Sequence, residues 1–172
     1  ASPGILGVST GASIAVVIAT FLFEGIGLNL YVWFAFAGAA FSAVTVYFLG
    51  SLGRGGLTPI NLTIAGVAIT IFLSSVTRGI LIVSQQTLNQ IRFWLAGSLA
   101  GRDIELLWQV SPYFSLGLLL ALLLSRQLTM LSLGEEVAKG LGQRTVLVKL
   151  SAALSVVLLA GSSVAIAGPI GF

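Results

Sequence analysis

Uninterrupted apolar runs constrain this chain more than any other feature. About 20 apolar residues wound as α-helix cross roughly 30 Å of hydrocarbon at 1.5 Å per residue. Five stretches reach that length, at about residues 5–23, 30–49, 60–83, 106–124 and 146–167. The third is the longest and reads as a tilted or projecting span. Strands of a membrane barrel would alternate apolar and polar residues over about ten positions, whereas these runs are continuous. Only 8% of the 172 residues are charged, and 57% are hydrophobic. A soluble domain carries about a quarter charged residues, so this chain could not cover a water-facing surface. The expectation is an all-α, polytopic membrane helix bundle with five transmembrane helices, forming one domain over residues 1–172.

The breaks between runs carry turn and cap chemistry. The Glu24-Gly25-Ile26-Gly27-Leu28-Asn29 connection is short, so the first two helices are expected to be an antiparallel pair. Thr58-Pro59 suits an N-cap followed by proline in the first turn. Ser111-Pro112 falls early in the fourth run, where proline is best tolerated. Two connections are long. In 84–105, Leu88, Ile91, Trp94 and Leu95 recur at helical spacing, which predicts a short interfacial helix with Trp94 and Trp108 at headgroup level. The second, 125–145, is the most polar stretch of the chain.

Orientation follows from Lys and Arg in short loops. One side of the membrane receives Arg54, Arg126, Lys139 and Arg144, with Lys149 just inside the fifth span; the other receives Arg92 and Arg102. Five against two places the N-terminus and the 125–145 loop in the cytoplasm, and the 84–105 helix outside. The ends, Ala1-Ser2-Pro3-Gly4 and Gly168-Pro169-Ile170-Gly171-Phe172, read as cut from a longer chain.

Composition also excludes chemistry. There is no Cys and no His, which removes thiolate metal sites, Cys nucleophiles and His-dependent acid–base mechanisms. No catalytic residue, metal site or cofactor is expected. No Gly-x-x-x-x-Gly-Lys-Ser/Thr loop is present to cradle nucleotide phosphates. The net charge of +3 is dispersed, which argues against a nucleic-acid partner.

Four groups of residues are candidates for function. Leu133, Val137 and Leu141 recur every four residues, with Glu135, Glu136 and Lys139 off that stripe and Gly134, Gly140 and Gly142 supplying turns. Such a short helix either docks into a groove of a soluble partner or lies on the membrane surface. Gly7 and Gly11 form a small-xxx-small pattern around Ser9. It suits close helix packing, with a place for Ser9 in a translocation pathway as the other reading. Arg78 interrupts an apolar run near the outer end of the third span. It either snorkels or pairs structurally, or it lines a water-filled path. Arg92, Arg102, Asp103 and Glu105 are outer-side charges, read as solvated or as contacts for a binding protein.

The segment Arg126-Gln127-Leu128-Thr129-Met130-Leu131-Ser132-Leu133-Gly134-Glu135-Glu136-Val137-Ala138-Lys139-Gly140-Leu141-Gly142 closely resembles the cytoplasmic coupling loop of the iron-siderophore, haem and cobalamin import permeases. These are the membrane subunits of type II ABC importers. Ala1-Ser2-Pro3-Gly4-Ile5-Leu6-Gly7-Val8-Ser9-Thr10-Gly11-Ala12 resembles the start of their third membrane helix. Arg92-Phe93-Trp94-Leu95-Ala96-Gly97-Ser98-Leu99-Ala100-Gly101 is similar to their external segment before the sixth. Ala165-Ile166-Ala167-Gly168-Pro169-Ile170-Gly171-Phe172 is similar to the signature leading into their eighth. The four motifs follow family order along essentially the whole chain, so the resemblance implies a fragment holding the third to seventh helices.

The resemblance further implies a multi-pass protein of the bacterial inner or plasma membrane, importing iron-siderophore or similar metal-chelate substrates. ATP hydrolysis would reside in separate cytoplasmic ATPase subunits, contacted through Leu133, Gly134, Glu135, Glu136, Val137, Lys139, Leu141 and Gly142. The other implied partners are an extracytoplasmic substrate-binding protein, near Arg92 and Arg102, and a second permease copy or paralogue. The rival class is a secondary transporter driven by an ion gradient. Such a protein usually places ionisable groups near the midplane, and here Arg78 is the one charge well inside a span.

Overall fold

The computed structural model describes residues 7–23, 28–52, 58–95 and 104–168. Expectations resting on residues 1–6, Arg54, Gly97, Gly101, Arg102, Asp103 or 169–172 lie outside the described residues, as do the side chains of Arg92 and Trp94. The described residues form seven α-helices: α1 (Val8–Leu22), α2 (Leu28–Ser51), α3 (Pro59–Val83), α4 (Gln85–Leu95), α5 (Ile104–Ser132), α6 (Glu135–Gly140) and α7 (Thr145–Ala167). Four of them are long and apolar enough to cross a membrane: Leu30–Ser51 within α2, Ile60–Val83 within α3, α5 and α7. The fifth apolar helix, α1, has 15 described residues.

Local chemistry explains most boundaries. Thr58 Oγ1 accepts the Asn61 N–H at 3.2 Å, and Pro59 occupies the first turn of α3. Ser84 separates α3 from α4 on its own. Its N–H donates to Ile80 O at 2.9 Å, closing α3. Its Oγ accepts the Thr87 N–H at 3.2 Å, capping α4. Thr87 and Ile91 are buried, and α4 packs on α3 and α1.

Two sequence expectations shift. The helix expected at 106–124 continues to Ser132, so the 125–145 connection shortens to residues 133–144. Hydropathy falls at Ser125, but Arg126, Gln127, Leu128 and Met130 are good helix formers, and no Gly or Pro intervenes before Gly134. Pro112 lies inside α5 rather than at its start. Proline cannot donate to the carbonyl of Trp108, four residues back. The hydroxyl of Ser111 donates to that carbonyl instead, at 3.1 Å.

Small residues hold the bundle together. In lipid no hydrophobic effect drives helices together, so close packing must. Antiparallel α1 and α2 meet where Gly11 faces Gly38 and Ser42. A Cβ at Gly11 would stand 2.6 Å from the Gly38 carbonyl oxygen, and one at Gly38 would collide with the Gly11 carbonyl. Ser42 Oγ donates to Gly7 O at 2.8 Å. That carbonyl also accepts the Gly11 N–H at 2.8 Å. Gly7 itself has φ 69°, a left-handed conformation suited to glycine. Helix α7 closes on α2 at Gly161, where a Cβ would meet the Phe36 ring at 2.6 Å. It closes on α5 at Gly117, which abuts Leu158 and Leu159. The core therefore lies among α1, α2, α7 and the start of α5, with Val8, Ala12, Val16, Ala35, Leu106, Val110, Val157 and Ala165 among its members. Helix α3 keeps most of its surface uncovered, including Ile60, Ile64, Ile71, Phe72 and Ile82.

Bulk at the α1–α2 crossing is expected to destabilise the bundle. Gly11→Val or Gly38→Val should each cost about 1–3 kcal/mol through overpacking, read as an earlier midpoint in an SDS-unfolding titration. Gly140, with open space around the position of its missing Cβ, supplies the control: Gly140→Ala should stabilise by about 0.4–1 kcal/mol. Equal midpoints for wild type and Gly11→Val would show that close approach does not govern this packing.

Candidate functional site: the bracket between α5 and α7

Residues 133–144 form a bracket that leaves α5, makes one short helix and enters α7. Glycines set its corners. Gly134 has φ 121° and Gly142 φ 79°, values that disfavour any side chain. Gly140, expected from the sequence to help turn the chain, is instead the last residue of α6. A six-residue helix has little stability of its own, and Ala138 is its one fully buried residue. Other contacts must therefore orient it.

Two anchors do so. At the entry, Glu135 Oε2 pairs with Lys149 of α7 at 2.5 Å, and Glu135 Oε1 pairs with Lys139 at 3.1 Å. Thr145, in the first turn of α7, donates to the same Oε1 at 3.4 Å. At the exit, Gln143 Nε2 donates to the Gln127 carbonyl of α5 at 3.0 Å, and the Gln143 N–H donates to Ala138 O at 3.0 Å. The bracket is thus tied to α7 at one end and to α5 at the other.

What faces outward is apolar. Leu133 is 68% exposed, Val137 50% and Leu141 65%. Of the three, only Val137 lies within α6; Leu133 precedes it and Leu141 follows as its C-cap. The stripe read from four-residue spacing is therefore a turn–helix–turn edge. Glu136 and Lys139 are exposed beside it. Glu135, expected among the free charges, points into the bracket instead. Its carboxyl is lowered to about 2 by the hydrogen bond from Lys149, then that from Lys139, with their charges acting in the same direction.

The remaining candidates lie elsewhere. Ser9 sits in the first turn of α1, half-buried, and its carbonyl accepts from Ser13 Oγ at 2.7 Å. Gly7 and Gly11 form the α1–α2 contact. Arg78 is exposed on the uncovered side of α3 and makes no ion pair among the described residues. Glu105 is exposed in the first turn of α5. No group of metal-binding side chains occurs among the described residues. Sequence reasoning did not find Lys149, Thr145, Gln127 or Gln143 as anchors. They lie up to sixteen residues from their partners, beyond any helical spacing. It also missed Gly38 and Ser42, although their own four-residue spacing repeats that of Gly7 and Gly11.

The depressed Glu135 carboxyl has a testable consequence. A group with its folded pKa below the unfolded value stabilises above the unfolded value and loses that effect as pH falls through the folded one. The Glu135 ties should therefore hold from neutral pH down to about 4.5 and fail between there and about 2. In a 13C NMR titration, the Glu135 carboxylate should titrate near 2, and near its ordinary value in a Lys139→Met/Lys149→Met variant. An unshifted wild-type midpoint would contradict the ion-pair geometry.

Comparison with known proteins agrees with this architecture. All of residues 1–172 match the FecCD transport family. The chain is 49% identical over its full length to the "Probable siderophore transport system permease protein YfiZ" of Bacillus subtilis (strain 168), covering 52% of that protein. It is 42% identical over its full length to the "Ferric enterobactin transport system permease protein FepD" of Escherichia coli (strain K12), again covering 52%. A solved structure, described as the inward-facing conformation of a transporter assigned to the metal-chelate ABC type, superposes with a TM-score of 0.76 at 30% identity. That match covers 99% of this chain and 54% of the solved one. The chain thus spans about half the length of the curated relatives it matches. With its helices and its sequence in agreement, the chain is an all-α, multi-pass membrane protein and belongs to the FecCD transport family.

Proposed function

We propose that this chain is part of the membrane-spanning permease subunit of an ATP-binding-cassette importer for iron-siderophore or similar metal-chelate substrates. The observation that carries the proposal is the bracket: an apolar edge of Leu133, Val137 and Leu141, exposed in a chain with very few charges, tied by hydrogen bonds and ion pairs to two long helices. An exposed apolar cluster flanked by Glu136 and Lys139 suits docking into a cleft of a soluble protein. Family membership supports a cytoplasmic ATPase as that protein. Gly134 and Gly142 shape the edge, and the excess of Lys and Arg supports a cytoplasmic side for it, in the bacterial inner membrane expected of the family. ATP-driven closure of two ATPases would reach α5 and α7 through this contact, because only differential contacts can shift a conformational equilibrium. A binding protein on the outer side, reached through Arg92 and Arg102, and a second permease copy complete the assembly.

Arg78 belongs to the same reading as a pathway residue. It stands on the uncovered face of α3 without a carboxylate partner among the described residues, where it could attract an anionic chelate towards the outer mouth. Ser9 is assigned a place beside the path, next to the Gly7–Gly11 contact.

Two outcomes test the proposal in the full-length permease complex. Leu141→Asp should weaken ATPase docking by about 2 kcal/mol, about thirty-fold in affinity, measured as ATPase subunit retained on the purified permease. Full retention in that variant and in Glu136→Lys would retire the docking role. Arg78→Gln should lower ATP-driven uptake of ferric citrate, ferric hydroxamate or haem several-fold without changing ATPase retention. Unchanged uptake of all three would remove Arg78 from the pathway.

A further inference from the structure

The geometry points to Glu135 as a positioning residue that acts inward: it locks α6 to α7, so that the two helices move as one body. This rests on the reading of the apolar edge as a docking surface, but it concerns a different set of contacts.

The two carboxylate oxygens of Glu135 are divided between the helices. Oε2 takes Lys149, one turn into α7. Oε1 takes Lys139 within α6 and the hydroxyl of Thr145 in the first turn of α7. The carboxylate therefore lies across the α6–α7 junction, and it does so at the point where α6 begins. Beyond Ala138, α6 buries no residue that could fix its angle by packing. The chain passing from α6 to α7 turns through Gly142 at positive φ, a corner without a side chain to stiffen it. Exposed ion pairs such as these two contribute little to stability, but here the role of the carboxylate is angular. It closes a ring formed by α6, the glycine corner and the first turn of α7. The Gln143 tie to the Gln127 carbonyl holds the other side of the ring to α5. A push on Leu133, Val137 or Leu141 would thus be delivered to α7 directly, rather than absorbed at the glycine corner. Glu136, with no such tie among the described residues, is the acid left for the partner protein.

These 172 residues hold no cysteine, so in a full-length complex whose other cysteines are replaced by serine, introduced cysteines give a direct test. Spin labels on Gly140→Cys in α6 and Leu154→Cys in α7, both exposed positions, report the angle between the two helices in the full-length complex in proteoliposomes. With Glu135 intact, the interlabel distance should be narrow and the same in nucleotide-free and vanadate-trapped complexes. With Glu135→Lys the distribution should at least about double in width, or its mean should shift on trapping. The charge swap Glu135→Lys/Lys139→Glu/Lys149→Glu, which reverses both ion pairs, should restore the narrow, invariant distance, which a merely structural loss at Glu135 would not. A narrow, invariant distance in Glu135→Lys overturns the inference, as does failure of the swap to restore it. ATPase retention is scored on the same samples, with Leu141→Asp alongside. Retained ATPase in Leu141→Asp counts against the docking surface alone, while the interlabel distance continues to judge the Glu135 lock.

Discussion

Inside a bilayer, every backbone donor and acceptor must find its partner within the protein, and apolar side chains gain nothing by leaving lipid for one another. The architecture follows from these two conditions. The first makes every long element a helix and sends hydroxyls back onto their own helices, as with Ser13 on Ser9, Thr20 on Val16 and Thr70 on Gly66. The second leaves dispersion as the main attraction, which weakens steeply with separation. Helices must therefore approach until backbones nearly touch. Gly11 against Gly38, Gly161 against Phe36 and Gly117 against Leu158 are the places where that approach is possible. The alanines at 12, 35, 39 and 160 fill the same crossings. Ser42, bonded to the carbonyl at the head of α1, adds one directed contact to an otherwise non-directional interface.

Outside the apolar layer the same chain obeys different rules. At the bracket the chain turns through Gly134 and Gly142, both at positive φ. Electrostatics replaces close packing as the orienting force. Charge pairs in this setting are screened within about 8–10 Å at physiological salt, so only contacts at bonding distance retain directional force. The contacts of Glu135 with Lys149 and Lys139 meet that condition. An α6 without these pairs would be a short helix on a glycine hinge.

The sequence made the apolar layer legible because a bilayer imposes length. Runs of twenty apolar residues leave one solution, and the Thr58 cap of α3 could be named from Thr-Pro alone. The helix α4 was visible from the spacing of Leu88 and Ile91, but its junction with α3 was not. Ser84 performs two capping roles there at once, and neither leaves a composition change. The far end of α5 was misread because hydropathy marks where lipid ends, whereas the helix ends only where Gly134 breaks it. In the bracket, Leu133, Val137 and Leu141 are exposed, but only Val137 lies on the short helix that their spacing implied. The direction of Glu135 could not be read, since its partners Thr145 and Lys149 are brought near only by the fold.

Exposure must be weighed differently for the two uncovered apolar surfaces. Large exposed residues on α3, such as Ile71, Phe72 and Ile82, are unremarkable where lipid or further helices are the surroundings, and the chain spans about half the length of its relatives. Leu133, Val137 and Leu141 are different, because charged residues and glycine corners surround them. An apolar edge in water is disfavoured unless something covers it. The ties to α5 and α7 also orient the bracket with this edge outward. The combination of an edge that needs a cover and a frame that turns it outward is the strongest structural argument for a soluble partner at this end of the bundle.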